Sequence, residues 1–420
     1  MNEDYLHYVW RCQRLPHGAL KCTSGRELTV LYQGHWNRHS GPDFLEARLR
    51  IGRELWVGSV EIHIKASDWR RHRHAGDPSY NNVVLHVVHE NDEPLVNDAG
   101  QEVPTLELKG LLDDLHWQSY CRFIETPSHV ACASGLHEVS DTARSMWLQR
   151  MGIERLDERS VRVEQLLHSY RGDWNAVWWH MLCRGFGFGL NKYAYEQLAA
   201  SLPWQALAKI ADRTFQLEAL LALHSGWFAL DARLREHKRF EDEYSHLCNL
   251  LKLEPAHPAV WHRGRMKPQN HPRVRLGQLA ALIHRGSFSW SSIANAASLD
   301  ELRALFEIRM PTLALNLAAQ PGESERMGQQ SIDSLIANAA LPMLFYRARH
   351  FGTPEQTEAI LSWYEALPPE DNKYTRMWQS IGWKSESLLD SQGQLHLFHN
   401  YCSRKKCLSC SIGTTLLNHT

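Results

Sequence analysis

The chain has no surplus of charge of either sign. Its 46 Lys and Arg face 47 Asp and Glu, a formal net charge of −1, so the basic coat that binds nucleic acid wholesale is missing and any polyanion site has to be local. It also has no apolar run long enough to span a bilayer, and no membrane partner is expected. The opening residues, Met1-Asn2-Glu3-Asp4-Tyr5, offer neither the basic stretch nor the apolar segment of a secretory leader, which makes the cytoplasm the expected location. Low-complexity tracts and a fixed internal period are missing as well, which argues against a disordered tail or an evident repeat array. Nine cysteines, an odd number scattered over 420 residues, do not form the framework of a secreted disulfide-stapled domain. What remains, with 43% hydrophobic and 22% charged residues, is an ordinary globular composition with enough apolar material for two or three cores.

The N-terminal third mixes both periodicities. Tyr5, Leu6, Val9 and Trp10 are spaced for one face of a helix, and Glu27 to Tyr32 then reads as a strand. From Asp43, the residues Leu45, Ala47, Leu49 and Ile51 alternate with Glu46, Arg48 and Arg50. Ile51-Gly52-Arg53-Glu54 reads as a hairpin turn into a second strand through Val60. On that strand Val60, Ile62 and Ile64 face one way, while Glu61, His63 and Lys65 share the other face. A looped or briefly helical segment, Ala66 to Tyr80, leads to Asn82-Val83-Val84-Leu85-His86-Val87-Val88, whose near-continuous apolar character suits a strand buried on both faces. His86 within it reads as a hydrogen-bonded core histidine. The order is helix, three strands, helix, strand.

Pro42-Asp43 at the head of one strand and Glu61-x-His63 on the next resemble the paired elements of the PD-(D/E)XK nuclease superfamily, whose αβββαβ core has this order. The resemblance implies that Asp43 and Glu61 hold Mg²⁺ or Mn²⁺ over a DNA or RNA phosphodiester, with the third motif position assisting water attack. That position is usually lysine and here is His63, which supplies no permanent positive charge; Lys65, two residues on, is the alternative. Asp43, Glu61, His63 and Lys65 are therefore the candidate catalytic residues. A degenerate, noncatalytic nucleic-acid-binding or scaffold protein is the competing expectation.

Over more of its length the sequence resembles a bacterial family known as domain of unknown function 2851. The resemblance rests on Gly34-His35-Trp36-Asn37, Ser40 to Phe44, Gly58 to His63, Ser67-Asp68-Trp69, Asn82 to Val88, Phe186 to Asn191, Lys267 to Pro272, Arg275 to Ala280 and the terminal Tyr401 to Gly413.

Two basic segments are candidate nucleic-acid contacts. In the turn after Lys65, Arg70, Arg71 and Arg73 stand beside His72, His74 and Asp77, a set that also suits an accessory transition-metal site. In the second half, Arg263, Arg265 and Lys267 precede an apolar helix. From about Asp141 apolar residues recur three and four apart, giving helices over residues 143–167, 173–182, 195–202, 207–223 and 276–284. Gly185-Phe186-Gly187-Phe188-Gly189 lacks both a preceding strand and a P-loop Lys-Ser/Thr pair, and reads as a turn between helices. The fold class expected is α+β: an N-terminal αβββαβ mixed sheet over residues 1–126, a helical domain over 137–395 and a Cys-rich tail over 396–420. In the tail, Cys402-x4-Cys407-x2-Cys410 has chelating spacing, with His399 as a fourth donor for Zn²⁺. An iron–sulfur cluster needs instead another cysteine, from Cys12, Cys22, Cys121 or Cys132.

Overall fold

The computed structural model describes residues 1–15, 20–37, 40–72, 74, 76–97, 100–112, 114–126, 128–227, 238–254, 260–262, 264, 270–286, 288–309 and 326–418. The chain divides into two units, one formed by Met1–Trp147 together with Leu397–Thr420 and the other by Leu148–His396. The fold is α+β, with the mixed sheet in the first unit and helices throughout the second.

The first unit opens with α1 (Glu3–Arg11), capped by Asn2, whose side chain accepts from the Tyr5 N–H at 3.0 Å. Seven strands follow: β1 (Leu20–Lys21), β2 (Glu27–Tyr32), β3 (His35–Trp36), β4 (Phe44–Ile51), β5 (Glu54–Lys65), β6 (Val83–Glu90) and β7 (Thr105–Glu107). Their order in the sheet is β1-β2-β4-β5-β6-β7, with β3 on β4. The first pairings are antiparallel, while β5–β6 and β6–β7 are parallel. The parallel step needs a crossover, supplied by α2 (Asp68–Arg71) and the single turn Pro78–Tyr80. Helix, three main strands, short helix and strand thus follow in the order the periodicity predicts.

The β4–β5 turn is a two-residue loop between paired Ile51 and Glu54, and Gly52 takes the φ of +62° that this loop demands. Further along β4 the predicted alternation fails. The register shifts between Phe44 and Ala47, Glu46 adopts a φ of +58°, and the core face is Phe44, Ala47, Leu49 and Ile51, with Leu45 exposed. This is a β-bulge, which reverses the phase of the strand just after Asp43. Strand β5 is buried from Gly58 to His63. Val60 and Ile62 join Leu6, Trp10, Phe44, Leu85 and Val87 in the apolar core beneath α1, which leaves Ser59, Glu61 and His63 for the opposite face. Gly58 sits where β5 and β6 converge: a Cβ there would lie 2.5 Å from both the Asn82 carbonyl and Val84.

The second unit is helical. Its first full helices are α3 (Asp141–Ser169, which begins in the first unit), α4 (Trp174–Phe186) and α5 (Lys192–Ser201). Asp173 caps α4 by accepting from the Asn175 and Ala176 N–H groups. Two adjacent core tryptophans satisfy their indole N–H groups on carbonyls, Trp178 on Phe288 and Trp179 on Leu202, at 2.6 and 2.7 Å. The glycine-rich segment after α4 is the expected turn. The stretch predicted as one helix over 207–223 is two, Trp204–Ala208 and Thr214–His224, because the chain turns between them through Ile210, whose N–H bonds the Leu207 carbonyl. Among the described residues no helix is long and apolar enough to cross a membrane.

Candidate metal centre

The polar face of β5 faces the loop after α2 and the end of α1. Asp43 enters from β4's bulged start. Its backbone N–H donates to Glu61 Oε2 at 3.1 Å, and its own Oδ2 accepts from the Ile62 N–H at 2.9 Å. This reciprocal pair fixes both carboxylates where the two strands separate. On its other side Asp43 Oδ2 meets His7 Nε2 of α1 at 3.1 Å. Asp43 keeps partial access to solvent, whereas Glu61 is 4% exposed.

Histidines close the face. His63 is 1% exposed; its Nδ1 shares a 2.9 Å hydrogen bond with Nε2 of the fully buried His86, and its Nε2 stands 3.5 Å from Glu61 Oε1. His74, returning from the loop, places Nε2 3.2 Å from the same oxygen and stacks on Tyr80 with ring centroids 4.0 Å apart. The ligand atoms of His63, His72 and His74 lie within 4.8 Å of one another. The loop is held down by Trp69, whose ring meets His63, His74 and His86 edge-on.

The electrostatics follow from burial. Desolvation, and after it the Asp43 charge, push the Glu61 carboxyl up to about 9. Burial, reinforced by the surrounding histidines, lowers His63 to about 2 and His86 to about 3, so both imidazoles are neutral, the form that binds metals. His74 is lowered by burial and by His72. His7 moves the opposite way: burial pulls it down, but the Asp43 hydrogen bond and charge outweigh that and raise it.

These residues fit a divalent ion. Nε2 of both His63 and His74 is buried and makes no hydrogen bond, although each faces Glu61 Oε1. A single proton on that oxygen can serve only one of them. A cation would satisfy the carboxylate and both imidazoles at once.

Of the predicted residues, Asp43, Glu61, His63, His72 and His74 come together. Lys65 does not join them: it lies 4.0 Å from Glu90, its register partner on β6. Asp77 instead caps the turn Pro78–Tyr80 by accepting from the Ser79 N–H. Arg70 pairs with Glu93 and Arg71 with Asp68. Arg73, Arg263, Arg265 and Lys267 lie outside the described residues. Cys402 ends a wide helical turn (Leu397–Cys402), Cys407 and Cys410 flank a short one, and His399 is exposed. Sequence reasoning missed His7, which meets Asp43 through the packing of α1; the one available cue was a histidine flanking the apolar stripe of that helix.

Residues 3–373 match the family described as protein of unknown function, DUF2851. The chain belongs to this family. The DUF2851 match includes every residue of the centre, while the cysteines of the tail lie beyond it. No curated protein and no solved structure matches the chain.

Proposed function

We propose that this centre is a divalent-metal site for hydrolysis of DNA or RNA phosphodiesters. The observation that supports it most directly is the pairing of Asp43 and Glu61 at the β4–β5 junction, with two neutral, unbonded imidazole nitrogens aimed at Glu61. Asp43, Glu61, His63 and His74 would hold the ion, and a mixed imidazole and carboxylate set favours Mn²⁺ over Mg²⁺. A divalent ion bound there supplies Lewis-acid polarisation of the phosphoryl group and an acidified water. The protein's own residues divide the remaining work. The hydrogen bond that His63 Nδ1 shares with His86 Nε2 holds the ring so that His63 Nε2 faces the site. Asp43, partly exposed, orients His7. His7, whose protonated form the Asp43 hydrogen bond and charge favour against the pull of burial, would supply the positive charge that His63 lacks. Trp69 and Tyr80 limit the water around the histidines.

The test is cleavage of labelled single- and double-stranded DNA and RNA by the full chain with Mn²⁺ or Mg²⁺, beside Asp43→Asn. Metal-dependent cleavage that disappears in the variant is the expected result. No cleavage by folded protein with either ion would refute it.

A second reading, noncatalytic binding of nucleic acid, is favoured by one feature of the helical unit. A cavity of about 860 Å³ is lined by Arg155, Arg159, Arg162, Arg184 and Lys192. Burial, then the neighbouring arginines, lowers Lys192, so the cations repel one another and an anion would relieve them. Glu196 pairs with Arg162 and Arg184, and Asp333, Glu370 and Asp371 line the same cavity, Asp333 and Asp371 being paired with Arg303 and Arg376. Under this reading Arg155→Ala with Lys192→Ala weakens binding, whereas Asp43→Asn leaves it unchanged.

A further inference from the structure

The glycine-rich turn after α4 forms part of the wall of the 860 Å³ cavity in the helical unit, a volume in the range of small-ligand sites. Two of its glycines are required by close packing. A Cβ on Gly187 would lie 2.5 Å from the Lys192 N and Cα, and one on Gly185 would lie 3.0 Å from Leu335. The turn thereby brings the start of α5 to the cavity, where Asn191 and Lys192 line it. Asn191 does not cap this helix, because its side chain exchanges hydrogen bonds with the His262 backbone at 2.9 and 3.3 Å. Among the described residues the first-turn N–H groups of this ten-residue helix have no side-chain acceptor, and the positive end of its dipole lies beside the Lys192 ammonium.

A second part of the wall is a π-helical turn, Ile336–Ala340, set between the helices Gln329–Leu335 and Leu341–Phe351. Pro342, also in the wall, has no N–H for the carbonyl four residues back, and the ladder widens there. Such turns recur at functional sites. The Ala337 carbonyl within it accepts from Arg159 Nη1 and from Tyr364 Oη, both at 3.2 Å.

Charge decides the class of ligand. With Arg162 and Arg184 on Glu196, and the lining Asp333 and Asp371 on Arg303 and Arg376, the lining cations that remain are Arg155, Arg159 and Lys192. Among the described residues none of the three has an ion pair: Arg155 bonds Gln392 at 2.5 Å, and Arg159 bonds Ala337 and Asn338. Glu370 is the lining carboxylate left to face them. Behind the wall Arg275 adds a further cation. It is 2% exposed, stacks on Phe188 at 3.8 Å and bonds the neutral Gln278, Asn270 and Ser331. Three lining cations against one carboxylate leave two positive charges without a counter-charge, a costly state for partly buried groups.

We propose that this cavity binds a phosphate monoester, of a small molecule or at the 5′ end of a nucleic-acid strand, with Lys192, Arg155 and Arg159 holding the phosphate. A monoester carries about two negative charges at neutral pH, whereas each phosphodiester of a nucleic-acid backbone carries one. The monoester therefore matches the excess, and the guanidinium fork suits its oxygens. The inference rests on the cavity of the noncatalytic reading but assigns it a terminal phosphate instead of the backbone, and it shares no residue with the Asp43–Glu61 centre.

The experiment is isothermal titration of the full chain with two pairs of probes. AMP is compared with 3′,5′-cyclic AMP, which keeps the base and sugar but has a singly charged diester, and a short 5′-phosphorylated DNA strand is compared with its 5′-hydroxyl counterpart. A preference of about tenfold or more for the monoester in either pair supports the site, and the pair that shows it names the source. Lys192→Ala should weaken that binding roughly tenfold to a hundredfold, while Lys209→Ala, exposed and outside the cavity, leaves it unchanged. No binding of any probe, equal affinities within both pairs, or full binding by folded Lys192→Ala overturns the proposal. Equal binding of the two strands that is lost in Lys192→Ala, with no preference for AMP, overturns it too while leaving the noncatalytic reading standing. Where Lys192→Ala fails to fold, the two wild-type comparisons still decide.

Discussion

Replacing Glu61 by Gln preserves the side chain's shape, including an oxygen able to accept from the Asp43 N–H, but removes its ionisation. In the folded chain this carboxyl titrates at about 9 rather than 4.5, chiefly through burial and then through Asp43. A group whose folded value is raised contributes stability that is fully present below the unfolded value and is lost as pH climbs toward the folded one. At 1.36 kcal/mol per unit, the loss already amounts to about 3 kcal/mol at neutral pH. In a metal chelator the Glu61→Gln protein should therefore be more stable than wild type by about 3 kcal/mol at neutral pH, and the gap should close toward the ordinary carboxylate range. Manganese should close most of that gap. Wild type gains about 2.7 kcal/mol when the free ion is at about a hundred times its Kd, while the variant, with one ligand weakened, gains much less. Urea denaturation at a series of pH values, in chelator and in Mn²⁺, measures both effects. Identical pH profiles for the two proteins in chelator would refute the buried-proton account, and an equal gain from manganese would place the ion elsewhere.

The acid side should show the opposite trend. His63 and His86 are held down to about 2 and about 3, so their contribution is lost as pH falls below about 6.5. Each such histidine takes up one proton on unfolding and adds about 1.4 kcal/mol per pH unit to the slope; the stability of His63→Asn should therefore fall less steeply than that of wild type by about that amount over the same range. Asp43→Asn should lower the titration point of His7, whose raised value depends on that carboxylate despite burial. Imidazole NMR of the two proteins reads the shift directly, and an unmoved His7 would contradict the pairing. Gly58→Ala should cost about 1–3 kcal/mol by overpacking, because its Cβ meets Asn82 and Val84 at 2.5 Å; thermal unfolding with an unchanged midpoint would show that β5 and β6 part more easily than their spacing implies.

The local order of the first unit was open to reading in the residues. A stripe of Tyr5, Leu6, Val9 and Trp10 can bury itself only as a helix, Gly52 can be placed only in a tight loop, and the apolar run at Val83 suits only a strand covered on both sides. That Glu61 and His63 share a face follows from strand geometry alone, and with it half of the candidate centre. The other half depends on what lies across from that face. The bulge at Glu46 changes which β4 residues turn inward, and period-two counting passes over it because nothing in Leu45 or Glu46 marks an extra residue. His7 meets Asp43 through the packing of α1, Lys65 is drawn to Glu90 by its register on β6, and Asp77 is taken up by its own turn. The tail shows the same division most plainly. The spacing of Cys402, Cys407 and Cys410 is local and legible, but the packing of the C-terminal helix on α1, where Tyr8 bonds Asn418, is a contact between residues at opposite ends of the chain that no periodicity encodes.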